Sequence, residues 1–191
     1  MPPKARITKE MVIKAGFGIV RGEGAESLNV RRIAAELKCS TQPVMYLYKT
    51  VDELKGDIYT AADEFHTEYI MQSAADSEDP LLSIGLNYIR FAEKEKFLFR
   101  FIFQSDKFRN IGFKEMLDGA ETDFLIKPLA EQTGLDHAKA KAVFETLFIC
   151  VHGYASLLAN NSMEYNQEHC AEMLSSVFMS TVGYMLRGEE K

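Results

Sequence analysis

The sequence predicts an all-α protein of about nine helices. Apolar residues recur three or four positions apart in most segments, which is the spacing of one buried helix face. Capping residues stand directly before these segments, and the 191 residues include only five prolines that could interrupt them. The length suits two domains, a small N-terminal helical domain over residues 1–50 and a larger helical domain over residues 51–191.

The composition excludes several classes of protein. Hydrophobic residues make up 47% of the chain and aromatic residues 11%, so we expect a folded protein rather than a disordered one. No run approaches the roughly 18 consecutive apolar residues of a membrane helix, and the N-terminus lacks an apolar signal core, so a cytoplasmic protein is expected. Three scattered cysteines argue against a disulfide framework.

The net charge of −6 is unevenly distributed along the chain. Residues 1–55 contain ten Lys and Arg and six Asp and Glu, whereas residues 56–191 contain twelve and twenty-two. A basic N-terminal part on an acidic body fits a nucleic-acid contact restricted to one end. Chance segregation of charge gives the same pattern, so charge alone does not decide the function.

The first helix is predicted to begin after Thr8, which can cap it, and to end near Arg21. Gly16 lies on its apolar stripe, where the missing side chain permits a close approach of another helix. Gly18 has no such packing reason, although a glycine inside a helix lowers its stability.

Two short helices joined by a tight turn follow. In the first of them, Ile33, Ala34 and Leu37 recur at helical spacing, and Asn29 stands where an N-cap belongs.

The second short helix is predicted over Thr41 to about Leu47, with Ser40 as its cap. Pro43 falls in its first turn, where a missing N–H costs nothing. Such a pair of helices forms a helix-turn-helix, whose second helix can lie in a DNA major groove.

The segment over about residues 8–56 resembles the DNA-binding segment of TetR-type transcriptional regulators. That family has an Ile-Ala pair, a turn, a Ser-led recognition helix ending in aromatic residues, and an acidic-Leu start to the fourth helix. Here these features are Ile33-Ala34, Lys38-Cys39-Ser40, residues 41–48 and Asp52-Glu53-Leu54. The remaining helical chain fits the family in length and layout.

Three residues depart from the pattern of the resembled family. Lys38 stands where Gly is common, Met45 where the first Tyr is common, and Val51 where a phosphate-contacting Lys is common. Lys49 or Lys55 can replace that phosphate contact.

The residues expected at the DNA lie in and around the helix-turn-helix. Gln42 can pair with adenine, and Thr41 can contact a thymine methyl group. Hydroxyl and ammonium groups can hold phosphates, as can the N-terminus of a helix, and these contacts fix the register. The complete expected set is Asn29, Arg31, Ser40, Thr41, Gln42, Pro43, Tyr46, Leu47, Tyr48, Lys49 and Lys55.

The larger domain is predicted to consist of further helices. They are expected over about residues 51–73, 80–93, 94–104, 112–117, 120–132, 136–159 and 166–186. Residues 75–79 should form a polar linker. Residues 94–104 also alternate as a strand does, but helices on both sides favour a helix. Pro128 should kink or divide the helix that contains it.

Aromatic and Met residues of the larger domain are candidates for a ligand cavity. Regulators of the resembled family usually respond to a small molecule, which implies such a cavity here. The same residue types at helical spacing also form ordinary core. The candidate lining is Phe65, Met71, Tyr88, Phe91, Phe101, Met116 and Phe124.

The last two helices are apolar over arcs too wide for one core contact, which suggests a second apolar partner. In the resembled family, the corresponding helices pair with those of a second chain as a four-helix bundle. The candidate dimer interface is Val143, Leu147, Val151, Tyr154, Leu158, Leu174, Val177, Phe178, Thr181 and Met185.

No metal site, cofactor or catalytic centre is predicted. Cys150 with His152, and His169 with Cys170, are one or two positions apart and do not share a helix face. Neither a nucleotide-binding loop nor a nucleophile elbow occurs.

The resemblance implies a homodimeric transcriptional regulator, expected to be a repressor, that binds a palindromic operator in double-stranded DNA and responds to a small-molecule effector. An effector in the larger domain is expected to shift the fourth helix and change the separation of the two recognition helices. Two alternatives stay open. One is a small-molecule-binding helical protein of the same fold that has lost specific DNA binding, and the other is a helical-bundle enzyme.

Overall fold

The computed structural model describes residues 6–72, 79–105 and 120–187. Within these ranges it contains nine α-helices and no strand, which confirms the predicted all-α class. A 3₁₀ turn over Ala25–Ser27 follows the first helix. The helices, α1 to α9 in chain order, are Lys9–Glu23, Val30–Glu36, Thr41–Leu47, Val51–Met71, Pro80–Lys94, Lys96–Phe103, Ala120–Thr133, His137–Ala159 and Gln167–Arg187.

Several predicted helix starts are confirmed by their capping hydrogen bonds. Side-chain oxygens of Thr8, Asp79 and Asp136 each accept the backbone N–H group three residues later, at 3.3, 3.0 and 2.9 Å. The segment with alternating apolar residues is the helix α6, as expected. The predicted helix over 112–117 and most of the predicted linker over 75–79 lie outside the described residues.

Pro128 was predicted to kink or divide α7, and the structure shows that it does not divide the helix. The helix runs without a break over 14 residues. A proline removes one helical hydrogen bond, but Ile126 and Leu129 beside it are each only 1% exposed. Burial of this apolar face supports the helix through the proline, since helices in proteins depend mostly on such packing.

The chain divides into two compact units. Among the described residues, the first unit comprises 6–68 and 95–105, and the second comprises 69–72, 79–94 and 120–187. The predicted boundary after residue 50 does not coincide with this division, because most of α4 and all of α6 belong to the first unit. The helices α1, α2 and α3 have too little apolar surface to form a core of their own. Helices α4 and α6 add apolar surface and so enlarge the core of the first unit.

In the first unit, α1 packs closely against α4 at Gly16, as predicted. A Cβ atom added to Gly16 would lie 2.9 Å from Cγ1 of the fully buried Ile58. Helix α6 also packs against α1. Its N-terminal end is fixed by Arg21, whose Nε donates to Oε2 of Glu95 at 2.9 Å while an Nη donates to the other carboxylate oxygen.

In the second unit, α8 is the central helix and packs against α5, α7 and α9. By length and composition alone, α8 could cross a membrane, a property shared by the core helices of many globular proteins. Its buried face helps to form an apolar cluster with α7. The buried members of that cluster are Ile126, Leu129, Leu135, Ala140, Val143, Phe144 and Leu147.

Candidate nucleic-acid interface

Helix α2 begins at the predicted cap, Asn29. The side-chain Oδ1 of Asn29 accepts a hydrogen bond from the N–H group of Arg32 at 2.9 Å, and the Nδ2 of Asn29 donates to the carbonyl of Ser27 at 3.2 Å. Asn29 was also predicted to contact a phosphate. It is exposed, but both polar atoms of its side chain already have partners within the chain.

Helix α2 ends in a Schellman motif, which produces the turn of the helix-turn-helix. The N–H group of Cys39 donates to the carbonyl of Ala34 at 2.9 Å, and that of Lys38 donates to Ala35 at 3.1 Å. This geometry requires the left-handed backbone conformation at Lys38, whose φ is 51°. The position therefore has the backbone conformation that favours Gly, although Lys occupies it.

Helix α3 has the predicted bounds, Thr41–Leu47, but its predicted cap makes no hydrogen bond. Ser40 occupies the N-cap position with an extended backbone, and its side chain does not cap the helix. One of the two N–H groups that such a cap usually binds is missing, because Pro43 is the third residue of the helix. Val44 anchors the inner face of α3 and is 0% exposed.

The outer face of α3 is formed by residues at positions i, i+1, i+4 and i+5. Thr41 and Gln42, the predicted base contacts, are both exposed. Tyr46 on the same side is 89% exposed, and Met45 is 47% exposed. Met45 was not among the predicted DNA contacts, although its position three residues after Gln42 would have identified it. Pro43 and Leu47 are half-buried at the edges of this face.

Tyr48 is not available for the predicted phosphate contact. It is 2% exposed, and its hydroxyl donates to Oδ2 of Asp57 at 3.0 Å. Nζ of Lys9 lies 4.7 Å from the centre of the Tyr48 ring and 3.7 Å from the Asp57 carboxylate. Burial and the hydrogen bond to Asp57 raise the pKa of the Tyr48 hydroxyl. Tyr48 therefore joins the end of α3 to α1 and α4 and fixes the orientation of α3.

The predicted phosphate-binding cations are exposed. Arg31, Lys49 and Lys55 form no ion pair with the residues that the structure describes. Arg32, by contrast, pairs with Glu23 at 2.5 Å and with Glu36 at 3.2 Å. The cations predicted to hold DNA are thus separate from the cation that stabilises the junction of α1 and α2.

In the first turn of α4, Val51 occupies the position where the resembled family commonly has a lysine. Its side chain is 43% exposed. The start of α4 is acidic, since Asp52 and Glu53 follow directly. The Thr50 hydroxyl caps α4 by accepting the Glu53 N–H group at 3.1 Å. Any phosphate contact near this end must therefore come from other residues, such as Lys49 or Lys55.

The predicted ligand-pocket residues do not form one lining within either unit. Phe65 and Phe101 belong to the first unit, where their rings pack edge-on against Phe17 and Tyr59 at 5.4 and 5.9 Å. Met116 lies outside the described residues. The prediction treated α4 to α7 as parts of one domain, but α6 and most of α4 belong to the first unit.

The other four predicted pocket residues lie in the second unit. Met71 and Phe124 are exposed, whereas Phe91 is fully buried and packs edge-on against Tyr69 at 5.3 Å. The hydroxyl of the buried Tyr88 lies 2.9 Å from Nδ1 of His152 on α8.

The Tyr88–His152 hydrogen bond is a polar contact in a largely aromatic part of the second unit. The His152 ring stacks on Phe148 with 5.7 Å between ring centres, and Tyr88 packs edge-on against Phe148 at 6.0 Å. Burial lowers the pKa of His152. Sequence spacing gave no signal for this pair, because its members are 64 residues apart.

Most of the predicted dimer-interface residues are buried within the single chain. Six of them are less than 10% exposed, namely Val143, Leu147, Val151, Tyr154, Leu158 and Leu174. Val177, Phe178 and Met185 pack against the apolar cluster of α7 and α8, and Thr181 is half-buried. The apolar arc on α8 and α9 is wide, and the residues in its central part are buried in the core of the second unit.

Both α8 and α9 also expose large apolar side chains. Ile149 and Leu157 of α8 are 60% and 51% exposed, and Met179 and Tyr184 of α9 are 69% and 71% exposed. Gly153 lies midway between the two exposed residues of α8, and a Cβ added there would meet nothing within 4 Å. Ile149, Gly153 and Leu157 are four residues apart and therefore share one face of α8, which we call the open apolar face.

A groove lies in the first unit, between α1 and α2. It has a volume of about 560 Å³ and is lined by none of the predicted pocket residues.

Within the described parts of the chain, no three His, Cys, Asp or Glu side chains converge as metal ligands. Cys150 instead contacts the sulfur of Met173 at 4.0 Å.

Neither a scan against models of protein families nor a search among curated proteins gives a match for this chain. The relation to TetR-type regulators therefore stays a prediction that is based on the residues of the helix-turn-helix.

Proposed function

We propose that this protein is a homodimeric transcriptional regulator, a repressor, that binds a palindromic DNA operator and is released by a small molecule. The observation that carries the proposal is the outer face of α3. Polar Thr41 and Gln42 and the side chains of Met45 and Tyr46 are exposed there, while Val44 and Tyr48 anchor the helix from behind. Such a short, firmly held helix with a polar exposed tip suits the major groove.

The cations around α3 support the same proposal. Arg31, Lys49 and Lys55 are exposed and form no ion pair with the described residues, so their charges are available for phosphates. Phosphate contacts of this kind orient a protein on duplex DNA and supply much of its affinity. The excess of basic residues before residue 56 is consistent with this use.

The open apolar face supports the dimer. Exposed apolar patches on helices mark contacts with other proteins more often than chance. If a second copy covers this face, two-fold symmetry presents two copies of α3, and a spacing of roughly 34–36 Å would let them enter successive major grooves. A palindromic operator follows from that symmetry.

The effector is proposed to bind in the second unit. Ligand sites combine apolar walls with a few polar groups, and the Tyr88–His152 pair beside Phe148 has this character. Helix α4 contains the boundary between the two units, at residues 68 and 69, and is the proposed element through which the effector acts on α3. Binding of effector and of DNA would then oppose each other reciprocally. The proposed activity is binding without catalysis, and the proposed location is the cytoplasm.

An alternative function is favoured by Val51 and Tyr48. An apolar residue stands where the resembled family commonly has a phosphate-contacting lysine, and the Tyr48 hydroxyl is already bonded to Asp57. A small-molecule-binding protein of this fold that has lost specific DNA binding would tolerate both features.

A gel-shift titration separates these two functions. The probes are the DNA upstream of the protein's own gene and a random duplex of equal length, each at two salt concentrations. A regulator should prefer the upstream DNA by roughly a thousandfold or more, and its affinity should fall steeply with salt. Equal affinity for both probes would favour the alternative.

A further inference from the structure

The backbone conformation at Lys38 indicates a DNA contact that the resemblance to TetR-type regulators does not imply. Lys38 is one of two residues other than Gly with positive φ among those that the structure describes. Its φ of 51° is imposed by the Schellman motif, in which the N–H groups of Lys38 and Cys39 donate to the last turn of α2. Residues with a Cβ are unfavourable in this conformation because that atom crowds the backbone, although Asn offsets part of this cost by local hydrogen bonds.

The Lys38 side chain has no internal role that offsets this cost. It is exposed, and its ammonium group forms no ion pair or hydrogen bond with the described residues. The hydrogen bonds of the turn use only backbone atoms, so Gly would form them equally well. A residue held in an unfavourable backbone conformation without an internal contact is a candidate for a functional one.

The location of Lys38 indicates what its ammonium group contacts. It precedes the cap of α3 by two residues, in the turn that connects α2 to the recognition helix. A lysine side chain is long and flexible, and it binds phosphate as a point charge. The family's usual lysine at the start of α4 is replaced here by Val51, so one phosphate contact is missing at the far end of α3.

We propose that Lys38 binds a phosphate of the DNA backbone beside the N-terminal end of α3. The proposal rests on the proposed DNA-binding function. It assigns Lys38 to positioning the recognition helix and not to reading bases, because a phosphate contact is independent of sequence.

Substitutions at Lys38 separate the effect of its charge on DNA binding from the effect of its backbone conformation on stability. Lys38→Gly removes both the charge and the strain, so it should raise the melting temperature, by about 2–4 °C for a chain of this size, while it weakens DNA binding. Lys38→Asn also tolerates this conformation and also lacks the charge. Lys38→Arg keeps the charge and the strain, and should bind DNA as the wild type does.

Salt titration of binding to a random-sequence duplex, measured by fluorescence anisotropy, is the test. This probe requires no knowledge of the operator. The Gly and Asn variants should each lose roughly tenfold in affinity, and the slope of log affinity against log salt should decrease by about 0.9 per bound protomer. Both variants should remain folded, since neither disturbs the hydrogen bonds of the turn.

The possible failures are distinguishable. If the wild type binds the duplex but both uncharged variants retain its affinity and salt slope, the assignment of Lys38 is wrong while the proposed function stands. If the wild type binds no DNA at low salt, the proposed function and the role of Lys38 are both wrong.

Discussion

The hydroxyl of Tyr48 donates a hydrogen bond to the carboxylate of Asp57 at 3.0 Å, which joins the end of α3 to α4. The Tyr48 ring is buried beneath Lys9 of α1. Three helices therefore meet at one aromatic residue directly after α3. The position of α3 relative to α1 and α4 depends on this contact.

Tyr48→Phe should lower the free energy of unfolding by about 1–2 kcal/mol, because it removes the hydrogen bond and leaves the Asp57 carboxylate without that donor. Urea denaturation measures the change. In a double-mutant cycle with Asp57→Ala, the two losses should be less than additive. Full additivity would show that the hydrogen bond does not stabilise the first unit.

Gly16 and Gly18 form a matched pair within α1. Gly16→Ala should destabilise the protein by about 1–3 kcal/mol, because the new Cβ would overlap the buried side chain of Ile58. A Cβ at Gly18 meets nothing within 4 Å, so Gly18→Ala should stabilise the helix by about 0.5–1 kcal/mol. Thermal unfolding of both variants checks the opposite signs. Equal effects would contradict the close approach of α1 and α4.

His66 makes the stability of the protein sensitive to acid. It is 6% exposed and packs edge-on against Phe103 at 5.0 Å, and burial lowers its pKa from 6.5 to about 4. Between these two values the unfolded chain binds a proton that the folded chain does not. The contribution of neutral His66 to the free energy of unfolding is therefore complete above pH 6.5 and is lost as the pH falls towards 4.

We expect His66 to account for a loss of about 2 kcal/mol of stability between about pH 7 and pH 5. Urea denaturation at the two pH values should show this loss in the wild type and much less of it in His66→Leu. His169 is exposed, so His169→Ala should retain the wild-type dependence on pH. If His66→Leu also retains it, the loss has another origin.

The open apolar face should mediate dimerisation. Ile149→Glu places a charge on this face and should convert a dimer to a monomer, as measured by light scattering after size-exclusion chromatography. Phe124 on α7 is 51% exposed but lies outside this face, so Phe124→Glu should leave the dimer intact. A wild type that is monomeric at high concentration would contradict the proposed assembly.

Features of this fold that depend on neighbouring residues were predictable from the sequence. Thr8, Asn29 and Asp136 cap their helices by hydrogen bonds to N–H groups three residues later, and such bonds need only local geometry. The bounds of α3 were predictable for the same reason. Ser40 is the instructive exception, since Pro43 three residues later has no N–H group for a cap to bind.

Features that depend on distant contacts were not predictable. Tyr48 follows the recognition helix in sequence, which suggested a phosphate contact, but Asp57 and Lys9 hold it inside. Val143 and Leu147 share an apolar helix with Ile149, and periodicity does not tell which side faces α7. The sequence likewise did not indicate that α6 belongs to the same compact unit as α1.

The most direct test of base recognition by α3 is selection of binding sites from a random DNA pool, with wild type, Gln42→Ala and Lys49→Ala in parallel. The wild type should select a palindrome. Gln42→Ala should lose about 1–3 kcal/mol of discrimination at one base pair in each half-site, whereas Lys49→Ala should weaken all sites about equally and keep the preference. Selection of no common sequence by the wild type, or an unchanged preference in Gln42→Ala with its loss in Lys49→Ala, would contradict the proposed reading of DNA by α3.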